Sequence, residues 1–174
     1  MWKYNGTSRP DFAEEPKSGE ESVWDYPRPP ALKPDRRRIR VCFGDTIVAE
    51  STDCIRVLET AGAPTFYIPP HAVDTSILRN VDQRSICEWK GIATYCSIIE
   101  AIGDEFRLKP CGWQYTNPSP AFAEIKDFYS FYPSILDCYV DDEKVKPQAG
   151  GFYGGWVTNE IVGPIKGESG TEWW

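Results

Sequence analysis

Prolines and glycines cut this chain into short pieces, and that punctuation constrains its fold more than any other feature. There are 15 Pro and 14 Gly in 174 residues. A proline inside a helix removes a hydrogen bond and clashes with the preceding turn, whereas between short strands it sets a turn. The pieces between them read as strands. Ile39, Val41 and Phe43 alternate with Arg38, Arg40 and Cys42, the two-residue period of a half-buried strand. Gly44-Asp45 then signals a turn, and Thr46-Ile47-Val48-Ala49 returns as the hairpin partner. Residues 54–59, 65–68, 85–99 (bent at Gly91), 111–115, 136–140 with 144–146, and a last run through Trp156-Val157 continue the pattern. That makes about eight short strands, an all-β or strand-dominated fold. Two short helices are predicted. One covers 71–79, with Val73 and Ile77 four apart; the other covers 121–129, with Phe122, Ile125 and Tyr129 on one stripe.

The apolar content leans the same way: 7 Trp, 9 Tyr and 8 Phe against a single Met. Rings bury large areas on pleated surfaces. The length fits one domain. Residues 36–174 are read as a single β domain, 21–35 as an extended proline-rich arm, and 1–20 as a disordered tail. Trp24 and Tyr26 are costly to leave in water, so the arm is expected to dock on the body. Arg28, between prolines, would then be held where it can reach a carboxylate or a ligand anion.

The formal net charge is −7, which repels a phosphate backbone unless a local basic face overcomes it. The one basic run, Arg36-Arg37-Arg38 with Arg40, reads as a charged strand edge, so no nucleic-acid partner is expected. None of the six cysteines forms a Cys-x-x-Cys pair, and His71 is the only histidine. No metal and no cofactor are therefore expected. The chain opens without a basic-then-apolar leader and carries no apolar run of membrane length. A cytoplasmic protein with no membrane partner is the expectation, its oligomeric state left open.

Several ordered motifs carry a resemblance. They are Val23-Trp24-Asp25-Tyr26-Pro27-Arg28-Pro29, Arg56-Val57-Leu58-Glu59-Thr60, Tyr67-Ile68-Pro69-Pro70, Cys87-Glu88-Trp89-Lys90-Gly91, Phe131-Tyr132-Pro133 and Gly151-Phe152-Tyr153-Gly154-Gly155-Trp156. Together the chain resembles, from about residue 21 onward, the family catalogued as domain of unknown function 427. The resemblance implies a β-tent: two antiparallel sheets, packed like an open sandwich, with a pocket near their junction. The family's nucleotidyltransferase-like label finds no support in the residues. Asp141-Asp142 sits in a hairpin turn, where Asp belongs for local reasons. Gly150-Gly151 and Gly154-Gly155 are not followed by the Lys-Ser/Thr of a phosphate loop.

The candidate site is an aromatic one. Tyr67, Trp89, Tyr95, Trp113, Tyr115, Tyr132 and Trp156 exceed what a dry core uses comfortably, since each buried O–H or N–H needs a partner. With Glu59 and Lys90 at its edge, such a pocket suits a planar or cationic small molecule, and a Lys90 turned inward suits an anionic or carbonyl-bearing one. Whether Lys90 faces the pocket or solvent depends on the bend at Gly91. The leading expectation is a small-molecule-binding domain. The alternatives are an enzyme using Lys90 and Glu59, with His71 a weaker candidate, and a protein-interaction module built on Trp24.

Overall fold

A computed structural model describes residues 4–99 and 110–171 of the chain, and the fold is mainly β. Strands are numbered along the chain. One sheet has the order β2-β5-β6, from β2 (Ala31–Asp35), β5 (Cys54–Leu58) and β6 (Thr65–Tyr67). A second has the order β10-β9-β8-β7, from β7 (Leu78–Cys87), β8 (Gly91–Ile98), β9 (Gly112–Gln114) and β10 (Tyr129–Phe131). A third has the order β12-β11-β3-β4, from β3 (Ile39–Phe43), β4 (Thr46–Ser51), β11 (Asp137–Val140) and β12 (Glu143–Lys144). Two short ladders complete the set. β1 (Glu21–Ser22) runs parallel to β15 (Ile161–Val162), and β13 (Lys146–Pro147) antiparallel to β14 (Trp156–Val157).

The expected two sheets are thus five among the described residues. Strands of two or three residues form ladders too short to merge. A single bridge ties the first two sheets together: Ile68 and Tyr129 exchange backbone hydrogen bonds of 2.8 and 2.9 Å. The predicted helices are also corrected. Residues 70–79 instead make two 3-10 turns, Pro70–Ala72 and Thr75–Ile77, before entering β7 at Leu78. Residues 120–129 hold one 3-10 segment, Pro120–Ile125, and then enter β10 at Tyr129. A helical spacing over only two turns is too short to resist sheet pairing. Val73 bridges to Ala49, and Tyr129 joins two strands.

The main core gathers Ile39, Val41, Val48, Phe66, Phe131 and Trp156, each at most 1% exposed. Trp156 stacks on Phe66 with centroids 4.7 Å apart and donates its indole N–H to the Phe131 carbonyl at 3.0 Å. The arm forms a second cluster. Val23, Trp24 and Tyr26 bury against Leu58, Ala61, Ala63, Ile161 and Ile165. Trp24 donates its N–H to the Pro164 carbonyl at 3.1 Å. Packing begins before residue 21, because Tyr4 and Phe12 stand edge-on to Trp24 at 5.4 and 5.1 Å. Residues 1–3 of the expected tail lie outside the described residues.

A partly buried charge network, centred on the buried Arg56 and Asp35, ties this arm to the sheet. Tyr26 donates to Glu21 at 2.7 Å, and Arg56 reaches Glu21 at 3.0 Å and Asp35 at 3.2 Å. Arg37 pairs with Asp35 and Glu160, both at 2.6 Å. Partial burial works to raise the Glu21 carboxyl, but hydrogen bonds from Arg56 and Tyr26 prevail and hold it down at about 2.

Candidate functional site

The site is built on the turn between β7 and β8. Cys87 and Gly91 face each other at the end of the ladder, so Glu88-Trp89-Lys90 forms a three-residue loop. Gly91 has φ +101°, a conformation that L side chains rarely adopt, and this lets the loop close. The strand alternation expected through Cys87-Glu88-Trp89-Lys90 therefore stops at Cys87. Ser119 pins the loop from outside: its hydroxyl donates to the Trp89 carbonyl at 2.5 Å and its amide to the Lys90 carbonyl at 3.1 Å. Held this way, Lys90 turns inward and is only 8% exposed.

Two adjoining cavities meet at this lysine. One, of about 150 Å³, is charged and is lined among others by Arg28, Glu59, Lys90, Gln148 and Lys166. The other, of about 250 Å³, is ring-lined, with Tyr67, Cys87, Tyr95, Trp113, Tyr115 and Tyr132 in its wall. Thr65, Lys90, Tyr153 and Gly154 line both. Gly154 is required there, because a Cβ would run into the Trp113 ring.

The ring-lined cavity is rich in neutral hydroxyls. Trp113 donates its N–H to the Tyr67 hydroxyl at 3.2 Å, and Ser85 and Tyr95 share a hydrogen bond of 2.7 Å. Tyr115 and Tyr132 line the same wall as Cys87 and Tyr95. Burial pushes the Tyr67, Tyr115 and Tyr132 hydroxyls well above the ordinary phenol range. They stay protonated and can offer hydrogen bonds to a ligand.

In the charged cavity, Arg28 lies 2.7 Å from Glu88 and 3.5 Å from Glu59. The longer distance is beyond a charge-assisted hydrogen bond, so Glu59 keeps acceptor capacity. Gln148 is a wall rather than a reader, because it accepts from the Ala63 amide at 3.0 Å and donates to the Lys166 carbonyl at 2.8 Å. Lys90 differs from all of these. Among the described residues its ammonium has no carboxylate within ion-pair distance and no hydrogen-bond partner, and faces only the rings of Tyr115 and Phe122, each 5.9 Å away. Lys166 reaches toward the ring of Tyr153 at 5.8 Å.

The structure thus brings together Glu59, Tyr67, Lys90, Tyr95, Trp113, Tyr115 and Tyr132 from the sequence-based set. Two members fall elsewhere. Trp156 is core, and Trp89, in the loop itself, lines neither cavity but packs against the ring cluster, with the Arg28 guanidinium 5.8 Å from its ring and its own N–H buried without a partner. Sequence reasoning missed Thr65, Cys87, Tyr153 and Lys166. Tyr153 stands in the glycine-rich run set aside for lacking a phosphate-loop Lys-Ser/Thr, and nothing local marks Lys166.

The remaining candidates are outside both cavities. His71 is exposed on a 3-10 turn. Asp141, at φ +51°, accepts the Arg38 amide at 3.0 Å in the β11–β12 turn. Arg36 pairs with Asp53, Arg37 with Asp35 and Glu160, and Arg38 with Glu50, while Arg40 lies over Tyr139. Among the described residues no group of three His, Cys, Asp or Glu could hold a metal ion. No helix among them is long and apolar enough to cross a membrane.

A family model described as a domain of unknown function (DUF427) matches residues 31–142. That span holds β2 to β11 and every sequence-based site residue except Trp156, but neither Arg28 nor Tyr153 nor Lys166. No curated protein matches the chain.

Proposed function

The chain belongs to the family DUF427, and from its geometry we propose that it is a small-molecule-binding β domain whose ligand occupies the two adjoining cavities. The observation that carries this reading is Lys90, more than nine-tenths buried at their shared wall with no carboxylate beside it. The Lys90 side chain is thus held in the wall while its ammonium has no carboxylate, and an incoming acceptor or anion would supply the missing partner. The rings of Trp113, Tyr115 and Tyr132 supply a flat wall for the rest of the ligand. The tent-like meeting of sheets that the resemblance implies belongs to this reading, with the cavities where β5 and β6 approach the β7–β8 turn. The proposal needs no metal or cofactor. It takes the chain as cytoplasmic, without nucleic-acid or membrane partners, consistent with the paired arginines of its one basic run.

A thermal-shift screen of metabolites and nucleotides tests it. A ligand at about a hundred times its Kd should stabilise the fold by about 2.7 kcal/mol. Lys90→Ala and Trp113→Ala should each abolish that shift while remaining folded. A ligand whose shift survives both substitutions binds elsewhere and removes the proposal. One observation favours a second reading, an enzyme: Glu59, with acceptor capacity to spare, lines the charged cavity with Lys90. Turnover lost in Lys90→Ala with ligand affinity retained would establish that reading instead.

A further inference from the structure

The chain has six thiols, all free. Cys54, Cys96, Cys111 and Cys138 are buried, and only Cys42 and Cys87 are partly accessible. Burial pushes the Cys54 thiol up to about 12 and Cys138 well above its ordinary value, so neither supplies a thiolate at neutral pH. Cys42 lies in β3 and lines none of the cavities described; Cys87 lines the ring-walled one. The same wall holds Lys90, buried and without a carboxylate, and the loop that carries it closes directly on Cys87. A nucleophile and an unneutralised cation therefore share one small space, with Tyr115 in the same wall.

We propose that Cys87 is a covalent modification site for small anionic electrophiles, with Lys90 holding the anion beside the sulfur. This rests on the reading that the cavities take a small molecule, and it names the class: carboxylates with an electrophilic carbon, such as α,β-unsaturated acids. The step is a conjugate addition. The Cys87 sulfur forms a bond to the β-carbon, the double-bond electron pair moves to the α-carbon, and that carbon takes up the proton the thiol gave up. Lys90 faces the carboxylate on which negative charge gathers during the addition. No oxidant, reductant or further reactant is consumed.

Iodoacetate and iodoacetamide test this. They differ in charge and share one reaction, in which sulfur displaces iodide and the thiol proton goes to solvent. Native protein is alkylated with each, and labelling at each cysteine is followed by peptide mass spectrometry. The urea-unfolded chain gives the reference ratio of the two rates. In the native protein Cys87 should label first, with an iodoacetate-to-iodoacetamide ratio at least about fivefold above the unfolded value. That is the opposite of what a net charge of −7 imposes on an ordinary surface thiol. Lys90→Gln should return the ratio to the unfolded value, and Lys90→Arg should keep it raised. A second measurement needs no variant: cinnamate should slow iodoacetamide labelling of Cys87, and cinnamamide should not. Labelling at Cys42 before Cys87, an unfolded-like ratio in the native protein, or equal slowing by both cinnamyl compounds overturns the proposal. A ligand found by thermal shift together with an ordinary ratio removes this inference and leaves the binding reading standing. A raised, Lys90-dependent ratio with no ligand in the screen does the reverse.

Discussion

The docked arm and the cavity wall use the same materials to opposite ends. Both combine buried rings with buried charge. In the arm, Glu21, Asp35, Arg37, Arg56 and Glu160 each have an opposite charge within 3.2 Å, and the Trp24 N–H reaches a carbonyl. At the cavity, Lys90 has no carboxylate within ion-pair distance among the described residues, and Glu59 is held only loosely. Paired charges fix a packing arrangement, whereas an unpaired one leaves free energy for a ligand to recover. The difference teaches which aromatic cluster holds the fold together and which is built to receive something.

That contrast can be broken by measurement, and the largest effect should come from the arm. Trp24→Ala leaves a large void among Tyr4, Phe12 and Ile161, and should cost about 3–5 kcal/mol in urea unfolding. A loss below about 1 kcal/mol would show that the arm is only loosely attached.

Glu21→Gln comes next, at about 2 kcal/mol, because Arg56 keeps Asp35 but loses its other carboxylate. The pH dependence gives an independent check. The folded Glu21 carboxyl lies near 2, below its ordinary 4.5, so the unfolded chain binds the proton more readily between those values. The Glu21 contribution is therefore complete above about pH 4.5 and disappears as pH falls toward 2. Wild type should lose stability more steeply than Glu21→Gln across that window; parallel curves would remove Glu21 from the network's stabilising members.

Removing residues 1–20 strips Tyr4 and Phe12 from the faces of Trp24. The expected loss is about 1–2 kcal/mol, read as a lowered melting temperature. An unchanged melt would place the start of the functional arm at residue 21, as its composition suggested.

The smallest stability effect should come from the cavity. Lys90→Met replaces a charge that has no carboxylate partner with an apolar chain of similar length, and should change stability by less than about 1 kcal/mol, in either direction. Its ligand response should nevertheless vanish. A loss as large as that of Trp24→Ala would show that Lys90 belongs to the structural side of the comparison.

The sequence by itself determined the class of fold and the ingredients of the site. The alternation of Ile39, Val41 and Phe43 became β3, with Gly44-Asp45 as the turn into β4. Five of the seven named rings line the ring-walled cavity. Such features are local, because a two-residue period or a turn residue acts through its immediate neighbours. Where the local signal was weak, sheet pairing decided instead, and both short helices gave way to 3-10 turns and strands. The division of roles among identical residue types was also beyond it. Trp113 became a cavity wall and Trp156 core, according to which face of which strand meets which distant segment. Lys90 turned inward because a three-residue turn interrupts strand alternation and Ser119, almost thirty positions away, clamps it. Tyr153 and Lys166 reached the same space from the C-terminal part of the chain. A concave, uncompensated site is a property of surfaces brought together over long sequence distances, and no periodicity within one segment encodes it.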